Sequence, residues 1–214
     1  MRSARRILVG GLGAFVALAG LEHGVGEVLQ GSVAPAGVMF PSWPASAFFR
    51  ILGGEPAMSI VPNMLVTGIL AIIVSLGFLA WATVFARRKW AGLTLVGLSL
   101  LMLLVGAGFG PPILGVIVGA TALKIDSPLT WYRAHLSPSL THSLAVLWPW
   151  TFGACLLGWL ALTPGLPALA QFIAIDGPTV IPVVFLCALL LLVSTVFTGF
   201  AYDIDRTSLA TTNL

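Results

Sequence analysis

The sequence predicts an all-α integral membrane protein, a bundle of about five transmembrane helices. Apolar residues make up 58% of the chain and charged residues only 8%, against roughly 45–50% and 25% in soluble domains. Several stretches of about 20 residues carry no charge, which is the length needed to cross a bilayer core. Because these stretches are continuously apolar, they lack the alternation of a membrane β-barrel. Helices remain, since a spanning segment must satisfy its own backbone hydrogen bonds.

The charged residues between the spans predict the topology. Arg2, Arg5 and Arg6 precede the first span, and the Arg87-Arg88-Lys89 run joins the second to the third. The positive-inside rule places both groups in the cytoplasm. An odd number of spans then predicts a cytoplasmic N-terminus and an extracytoplasmic C-terminus, in the plasma (inner) membrane. Within a single membrane domain, 1–214, the predicted spans are residues 7–29, 60–86, 91–123, 140–162 and 178–200.

The first span has a competing interpretation as a secretory signal peptide. Its arginine-rich start, its apolar core and the Ala17-Leu18-Ala19 sequence match the cleavage pattern. Apolar residues resume after Gly20, however, and the whole run is long enough to span. An uncleaved helix is the interpretation adopted here. Cleavage would leave four spans.

The third apolar segment is the most ambiguous. Residues 91–125 would extend about 52 Å as one straight helix, which exceeds a single perpendicular crossing. The Gly108-Phe109-Gly110-Pro111-Pro112 stretch interrupts it, and prolines kink or break helices. Division into two spans would leave only residues 113–125 for the second, short of the roughly 20 needed. We therefore predict one span kinked at Gly108–Pro112 with an arm at the outer surface. A six-span layout, the alternative, would move the C-terminus inside.

The loops carry weaker signals. In the first outer loop, residues 44–52 combine Phe and Ile side chains with Arg50 and predict a short interfacial helix. Residues 166–175 predict a similar surface helix. Ser137-Pro138 is typical of a helix start and opens the fourth span. Asp176-Gly177-Pro178 is typical of a turn before the fifth span.

Candidate functional residues begin with Glu22, His23 and Glu27 at the end of the first span. Ionisable residues next to hydrocarbon are costly and indicate function. Glu22 lies 16 residues after Arg6, about 24 Å along a helix, so the cluster is expected near the outer edge of the membrane. His23 and Glu27 share one helix face at i, i+4 spacing. Gly20 and Gly24 predict close approach of a neighbouring helix there.

The predicted topology brings other polar residues to the same outer face. His135 and His142 flank the start of the fourth span, and with His23 they are all the histidines of the chain. The odd span count also places Asp126 and Asp203 outside, with Glu55. Asn63, in the outer half of the second span, is expected to face the same vestibule or to bond a neighbouring helix.

Two classes of function fit these residues. The first is a non-enzymatic transport-like or accessory membrane protein whose extracytoplasmic Glu/His pocket binds a proton, an ion or a small solute. The second is a metal- or haem-binding membrane enzyme or electron carrier using His23, His135 and His142, with Glu27 as a further metal ligand. No cofactor is strongly implied. The predicted partner is the lipid bilayer, and a homo-oligomer or a partner membrane subunit stays open.

Other functions find no support in the sequence. The ten basic residues are scattered around apolar spans, which indicates membrane topology rather than a nucleic-acid-binding face. The chain contains no glycine-rich phosphate loop, no Cys-x-x-Cys pair and no Gly-x-Ser-x-Gly elbow. Cys155 and Cys187 lie inside apolar runs, as small buried hydrophobic residues do.

Overall fold

The computed structural model describes residues 3–173 and 179–212 and is mostly helical. Within these residues, four helices are long and apolar enough to cross a membrane: Ala4–Gln30, Met64–Thr83, Pro138–Phe172 and Val180–Ser208. The helices are α1 (Ala4–Gln30), α2 (Met64–Thr83), α3 (Ala91–Leu104), α4 (Gly110–Ala122), α5 (Thr130–His135), α6 (Pro138–Leu160), α7 (Leu166–Phe172) and α8 (Val180–Thr212). A π-helical turn, Ala161–Gly165, joins α6 to α7.

Helix α1 is the centre of the bundle, and α2 packs antiparallel along it. Gly24 of α1 and Gly68 of α2 face each other so closely that a Cβ on Gly68 would lie 2.7 Å from the backbone nitrogen of Val28. Gly20 likewise lies against Ser75 and Met102. The close approach predicted from Gly20 and Gly24 is therefore confirmed, because neither position has room for a side chain.

Helices α3 and α4 form an antiparallel hairpin, so the prediction of one kinked span over residues 91–123 is wrong. The chain does break before Gly110, but α4 then runs back along α3. A Cβ on Gly92 would lie 2.6 Å from the backbone nitrogen of Leu123, and one on Gly119 would lie 3.0 Å from the carbonyl oxygen of Gly92. With 14 and 13 residues, the two helices are each about 20 Å long.

Helices α6 and α8 form a second antiparallel pair. The Thr151 and Thr198 hydroxyls are 2.8 Å apart, and the Thr195 hydroxyl donates to the Thr151 carbonyl oxygen at 2.9 Å. The Ser137 side chain caps α6 by accepting from the Leu140 N–H at 3.3 Å, which confirms the predicted helix start.

The α6–α8 pair is fastened to α1 by a buried ion pair. The Arg5 guanidinium donates to Asp203 Oδ2 at 2.6 Å, and the Ala4 N–H donates to Asp203 Oδ1 at 2.7 Å. Arg5 also donates to the carbonyl oxygens of Lys124 and Ser127, just after α4. The start of α1 and the ends of α4 and α8 thus meet, and the start of α6 joins them through the 3.4 Å contact between His142 and Asp205. This end of the bundle, marked by Arg5, Lys124 and Asp203, is called the terminal end.

The start of α1 and the described end of α8 lie at the same end of the bundle, whereas the five-span prediction placed them at opposite ends. Because α4 returns along α3, the later helices reverse direction relative to the five-span layout. Asp126 and Asp203 therefore lie beside Arg6 and Arg5 rather than across the bundle. The C-terminal part of α8 is on the same side as the start of α1, as in the six-span alternative.

The loop between α1 and α2 folds over the opposite end of the bundle. Instead of an interfacial helix over residues 44–52 it forms a short 3₁₀ turn, Phe49–Leu52, between strands β1 (Met39–Pro41) and β2 (Pro56–Met58). The Gln30 side chain holds the loop by donating to the Ser42 carbonyl oxygen at 2.9 Å. Residues 166–172 of the predicted 166–175 surface helix form α7, and residues 174–175 lie outside the described residues. The Asp176-Gly177-Pro178 turn and the start of the predicted 178–200 span lie outside the described residues.

Candidate functional site

A cavity of about 440 Å³ opens at the end of the bundle opposite the terminal end. We call this the site end and the opening the site cavity. Among the described residues its walls are apolar and aromatic except for Thr163 and three ionisable side chains, Glu22, His23 and Glu55. The lining comes from α1, the 3₁₀ turn, α4, the end of α6 with its π-helical turn, and the start of α8; it includes Phe15, Leu18, Ala19, Phe49, Leu52, Phe109, Pro111, Leu114, Trp159, Leu162, Ile181 and Phe185.

Glu22, His23 and Glu55 form one corner of the site cavity, which we call the polar corner, and His23 lies at its centre. Its Nδ1 lies 2.9 Å from the Ala19 carbonyl oxygen and 3.0 Å from Glu22 Oε2. A carbonyl oxygen can only accept, so Nδ1 carries a proton and donates. The Nε2 atom lies 3.5 Å from Glu55 Oε2. One proton between Nε2 and Glu55 therefore decides whether this contact joins two neutral groups or an imidazolium and a carboxylate.

The backbone around Glu55 is unusual, and it positions this carboxylate over α1. Gly53, Gly54 and Glu55 all have positive φ, with 57° at Glu55. Non-glycine residues rarely adopt such angles, and the cost is tolerated mainly where the surroundings enforce it. The Glu55 carbonyl oxygen accepts from the Ser42 N–H at 2.9 Å, which ties the turn to the loop.

The tip of the α3–α4 hairpin closes the other side of His23. A Cβ on Gly108 would lie 2.7 Å from His23 Cδ2, and one on Gly106 would lie 2.5 Å from Glu27 Oε1. Both glycines have positive φ, which glycine adopts without penalty. Gly108, the first residue of the predicted interruption, thus lets backbone pack directly onto His23, and Gly106, just before the interruption, does the same at Glu27.

Glu27 lies behind the site cavity rather than in its wall. Its side chain is fully buried, and Oε1 accepts from the Ser42 hydroxyl at 3.1 Å. Its Oε2, like Glu22 Oε1 and Glu55 Oε1, is buried without a hydrogen-bond partner. Three carboxyl groups around one imidazole are therefore incompletely satisfied, and such groups are costly to bury unless they are protonated or neutralised.

Burial raises the pKa of the Glu55 carboxyl from 4.5 to about 7; nearby His23 lowers this pKa, and nearby Glu22 raises it further. The folded protein thus holds a proton on Glu55 that the unfolded chain releases. Between about pH 4.5 and pH 7 the native state binds more protons, so the free energy of unfolding must fall as pH rises through this window.

Glu55→Gln should remove this pH dependence. Wild-type stability is expected to fall by about 3 kcal/mol between pH 4.5 and pH 7 from this group alone, whereas the variant should lose that contribution. Detergent-denaturation curves of both proteins across this pH range measure the difference. Equal slopes in the two proteins would contradict the buried, protonated Glu55.

The structure brings together only part of the predicted site. Glu22, His23 and Glu27 meet at the site end, with Glu55 as an additional member. His135 stacks on Trp131 in α5, and His142 lies 3.4 Å from Asp205, both at the terminal end. Asn63 caps α2 and donates to the Ser32 hydroxyl at 3.0 Å, outside the site cavity.

The expected convergence of the three histidines is therefore wrong. His142 pairs with Asp205, two residues from the Asp203 that contacts Arg5. His23 lies 18 residues along α1 from Arg5, about 27 Å. No single metal or haem iron can be ligated by His23 together with His135 or His142. Within the described residues, no three His, Cys, Asp or Glu side chains are arranged to hold a metal ion.

Sequence reasoning placed Glu55 at the outer face without naming it as a site residue, and it left Trp159 out altogether. The Gly53-Gly54 pair before Glu55 was an available signal, because consecutive glycines indicate a turn of unusual conformation. Trp159 offered none, since it is one of seven tryptophans in apolar surroundings.

Comparison of the chain with protein-family models, with curated proteins and with solved structures gave no match. The function is therefore inferred from the geometry of the site.

Proposed function

We propose that this protein binds an amphiphilic small molecule in the site cavity, in a transport-like or accessory role within the membrane. The apolar part of the ligand would lie against the aromatic and aliphatic walls, and its polar head would meet Glu22, His23 and Glu55. One observation carries the proposal: a mainly apolar cavity of about 440 Å³ has the ionisable groups of its described lining gathered in one corner. Small-molecule sites combine apolar walls with a few placed polar groups in this way.

The apolar walls favour an amphiphile over a free inorganic ion or a sugar-like solute. A fully polar solute would leave most of its hydrogen-bonding groups facing hydrocarbon, which costs several kcal/mol for each unmatched group. A purely apolar molecule would in turn leave the carboxyl oxygens of Glu22 and Glu55 unmet. The apolar walls and the polar corner together favour a molecule that has both an apolar body and a polar head.

The charge distribution supports a membrane orientation for this site. Of the nine Lys and Arg residues in the described chain, eight lie at the terminal end, and Arg50 alone lies at the site end. The positive-inside rule then places the terminal end in the cytoplasm. We infer that both chain termini are cytoplasmic and that the site cavity occupies the extracytoplasmic half of the membrane.

This orientation predicts labelling from opposite sides of the membrane. In a background lacking Cys155 and Cys187, Ser32→Cys should react with an impermeant thiol reagent in intact cells. Ser208→Cys, near the end of α8, should react only after permeabilisation. Labelling of both positions in intact cells would contradict the placement of the α8 end on the same side as the start of α1.

Photo-crosslinking tests the proposed binding site. The probe is an alkyl alcohol carrying a diazirine in its chain, applied to the purified full-length protein in lipid nanodiscs. Adducts are expected on the cavity-lining parts of α1 and α4, around Ala19 and Leu114. Labelling there should saturate as the probe concentration rises, because a cavity holds a limited number of molecules.

A blocked cavity provides the matched comparison. Ala19→Phe should fill the space beside His23 and strongly reduce these adducts. Ile73→Phe adds the same bulk on the exposed face of α2, where Ile73 is 58% exposed, and should leave them unchanged. Adducts spread over exposed helix faces, with no loss in Ala19→Phe, would refute binding in the site cavity.

A further inference from the structure

The polar corner of the site cavity has an excess of carboxyl groups over cations. Glu22, Glu27 and Glu55 surround His23, and each has one carboxyl oxygen without a hydrogen-bond partner. The side chain of His23 is only 5% exposed, and that of Glu55 is 9% exposed. The Glu27 side chain is fully buried, and that of Glu22 is 30% exposed. Buried carboxylates require protons or a cationic partner, and a single imidazole cannot neutralise both Glu27 and Glu55 beside the partly exposed Glu22.

No other cation in the described chain faces this corner. Arg50, in the 3₁₀ turn, has an exposed side chain and makes no ion pair with these carboxyl groups. From α4, the end of α6 and the start of α8, the described lining is apolar or aromatic apart from Thr163. The charged and titratable groups at the corner are therefore Glu22, His23 and Glu27 from α1 and Glu55 from the loop.

We propose that the ligand is a hydrophobic cation, with an ammonium head beside Glu22 and Glu55, and that its binding displaces a proton from the Glu55–His23 pair. This inference rests on the proposed function and specifies the ligand class. The proton leaves to solvent as the ammonium arrives, and no covalent bond changes. A protonated Glu55 carboxyl becomes a carboxylate paired with the cation. The ammonium adds one positive charge and the departing proton removes one, so the net charge of the polar corner does not change.

The walls of the site cavity suit an ammonium head as well as an alkyl body. Five aromatic side chains contribute to the lining: Phe15, Phe49, Phe109, Trp159 and Phe185. Aromatic faces attract ammonium groups, and the attraction is strongest where water is excluded. A neutral head of the same size would gain neither this attraction nor the pairing with carboxylate.

Competition between cation and proton fixes the expected pH dependence. Because Glu55 binds its proton with a pKa near 7, the cation must expel it below that pH but not above. Apparent affinity should therefore fall by up to tenfold for each pH unit below about 7 and level off above it. A neutral ligand should show no such fall.

The test compares two competitors for the photoprobe in the wild-type protein. One is a short-chain alkyl trimethylammonium salt, and the other is the alcohol of the same chain length. At about pH 8 the ammonium is expected to displace the probe at a concentration tenfold or more below that of the alcohol. Between about pH 7 and pH 5 its advantage should shrink by at least tenfold.

Two variants test whether Glu55 is the group that releases the proton when the cation binds. Glu55→Gln should abolish the pH dependence of ammonium competition, while Asp126→Asn, an acid at the terminal end, should leave it intact. Equal competition by ammonium and alcohol, or a pH-independent preference in the wild type, would overturn the inference while the crosslinked site still stands. Absence of saturable labelling in the cavity would instead overturn the proposed function itself.

Discussion

Asp203→Ala is expected to destabilise the protein by about 3 kcal/mol or more, because it leaves the buried Arg5 guanidinium without its carboxylate. Removing one partner of a buried ion pair typically costs about 3–5 kcal/mol. Arg5 and Asp203 side chains are only 12% and 6% exposed. The same carboxylate also accepts from the backbone N–H groups of Ala4 and Arg5, so the substitution also removes the acceptor of two N–H groups at the start of α1.

A second ion pair at the same end provides the control. Arg6 and Asp126 are 3.9 Å apart, and the Asp126 side chain is 70% exposed. Exposed pairs contribute at most about 1 kcal/mol, so Asp126→Asn should have little effect. Denaturation in a detergent series, followed by circular dichroism, measures both variants. A loss below about 1 kcal/mol for Asp203→Ala would contradict the fastening of α8 to α1 through this residue.

Gly106→Ala is expected to have a similarly large effect, and at the site itself. Gly106 has a φ of 95°, where a side chain costs about 1–2 kcal/mol. Its Cβ would also overlap the Glu27 carboxyl and the Thr67 methyl group, and such overpacking typically costs a further 1–3 kcal/mol. The expected loss is therefore about 3 kcal/mol, accompanied by weaker crosslinking in the site cavity because the hairpin tip must move.

Gly97→Ala supplies the matched control within the same hairpin. Gly97 lies inside α3, and a Cβ there would meet nothing within 4 Å. Alanine in a helix interior is favoured over glycine by about 1 kcal/mol at most, so this variant should be as stable as the wild type or slightly more stable. If Gly106→Ala and Gly97→Ala behave alike, the hairpin tip does not pack against Glu27.

Local features of the sequence predicted much of the helical framework. Uncharged runs located α1, α2, α6 and α8, because a helix that crosses hydrocarbon needs such a run whichever helices it packs against. The helix start at Ser137-Pro138 and the close approach of other helices at Gly20 and Gly24 were also predictable, since each is signalled by residues within about one helix turn of one another.

Features that depend on distant contacts were not predictable in the same way. Segment length argued against dividing residues 91–125, but α3 and α4 pack as a pair, so neither has to satisfy the length of an isolated span. The spacing of Gly115 and Gly119, typical of close helix contacts, was the available signal for that pairing. This wrong prediction affected all later residues, because the chain reverses direction between α3 and α4. The reversal places four predicted outer residues at the terminal end: His135, His142, Asp126 and Asp203.

The Glu22–His23–Glu27 cluster was found from the cost of burying charge, which is a local property of the chain. The sequence did not predict that Glu55 joins this cluster, because a left-handed turn in the loop and the docking of that loop on α1 bring Glu55 to His23. The site thus combines one helix that the sequence identifies with a loop conformation that only the folded chain defines.

An experimental density map of the nanodisc-embedded protein, with a brominated alkyl trimethylammonium salt added, would show whether a hydrophobic cation occupies the site cavity. The proposed binding mode predicts a bromine peak inside the site cavity, between α1 and the α4, α6 and α8 walls, and head-group density beside Glu22 and Glu55. Bromine peaks confined to the exposed face of α2 or to the surrounding lipid, with an empty cavity, would contradict it.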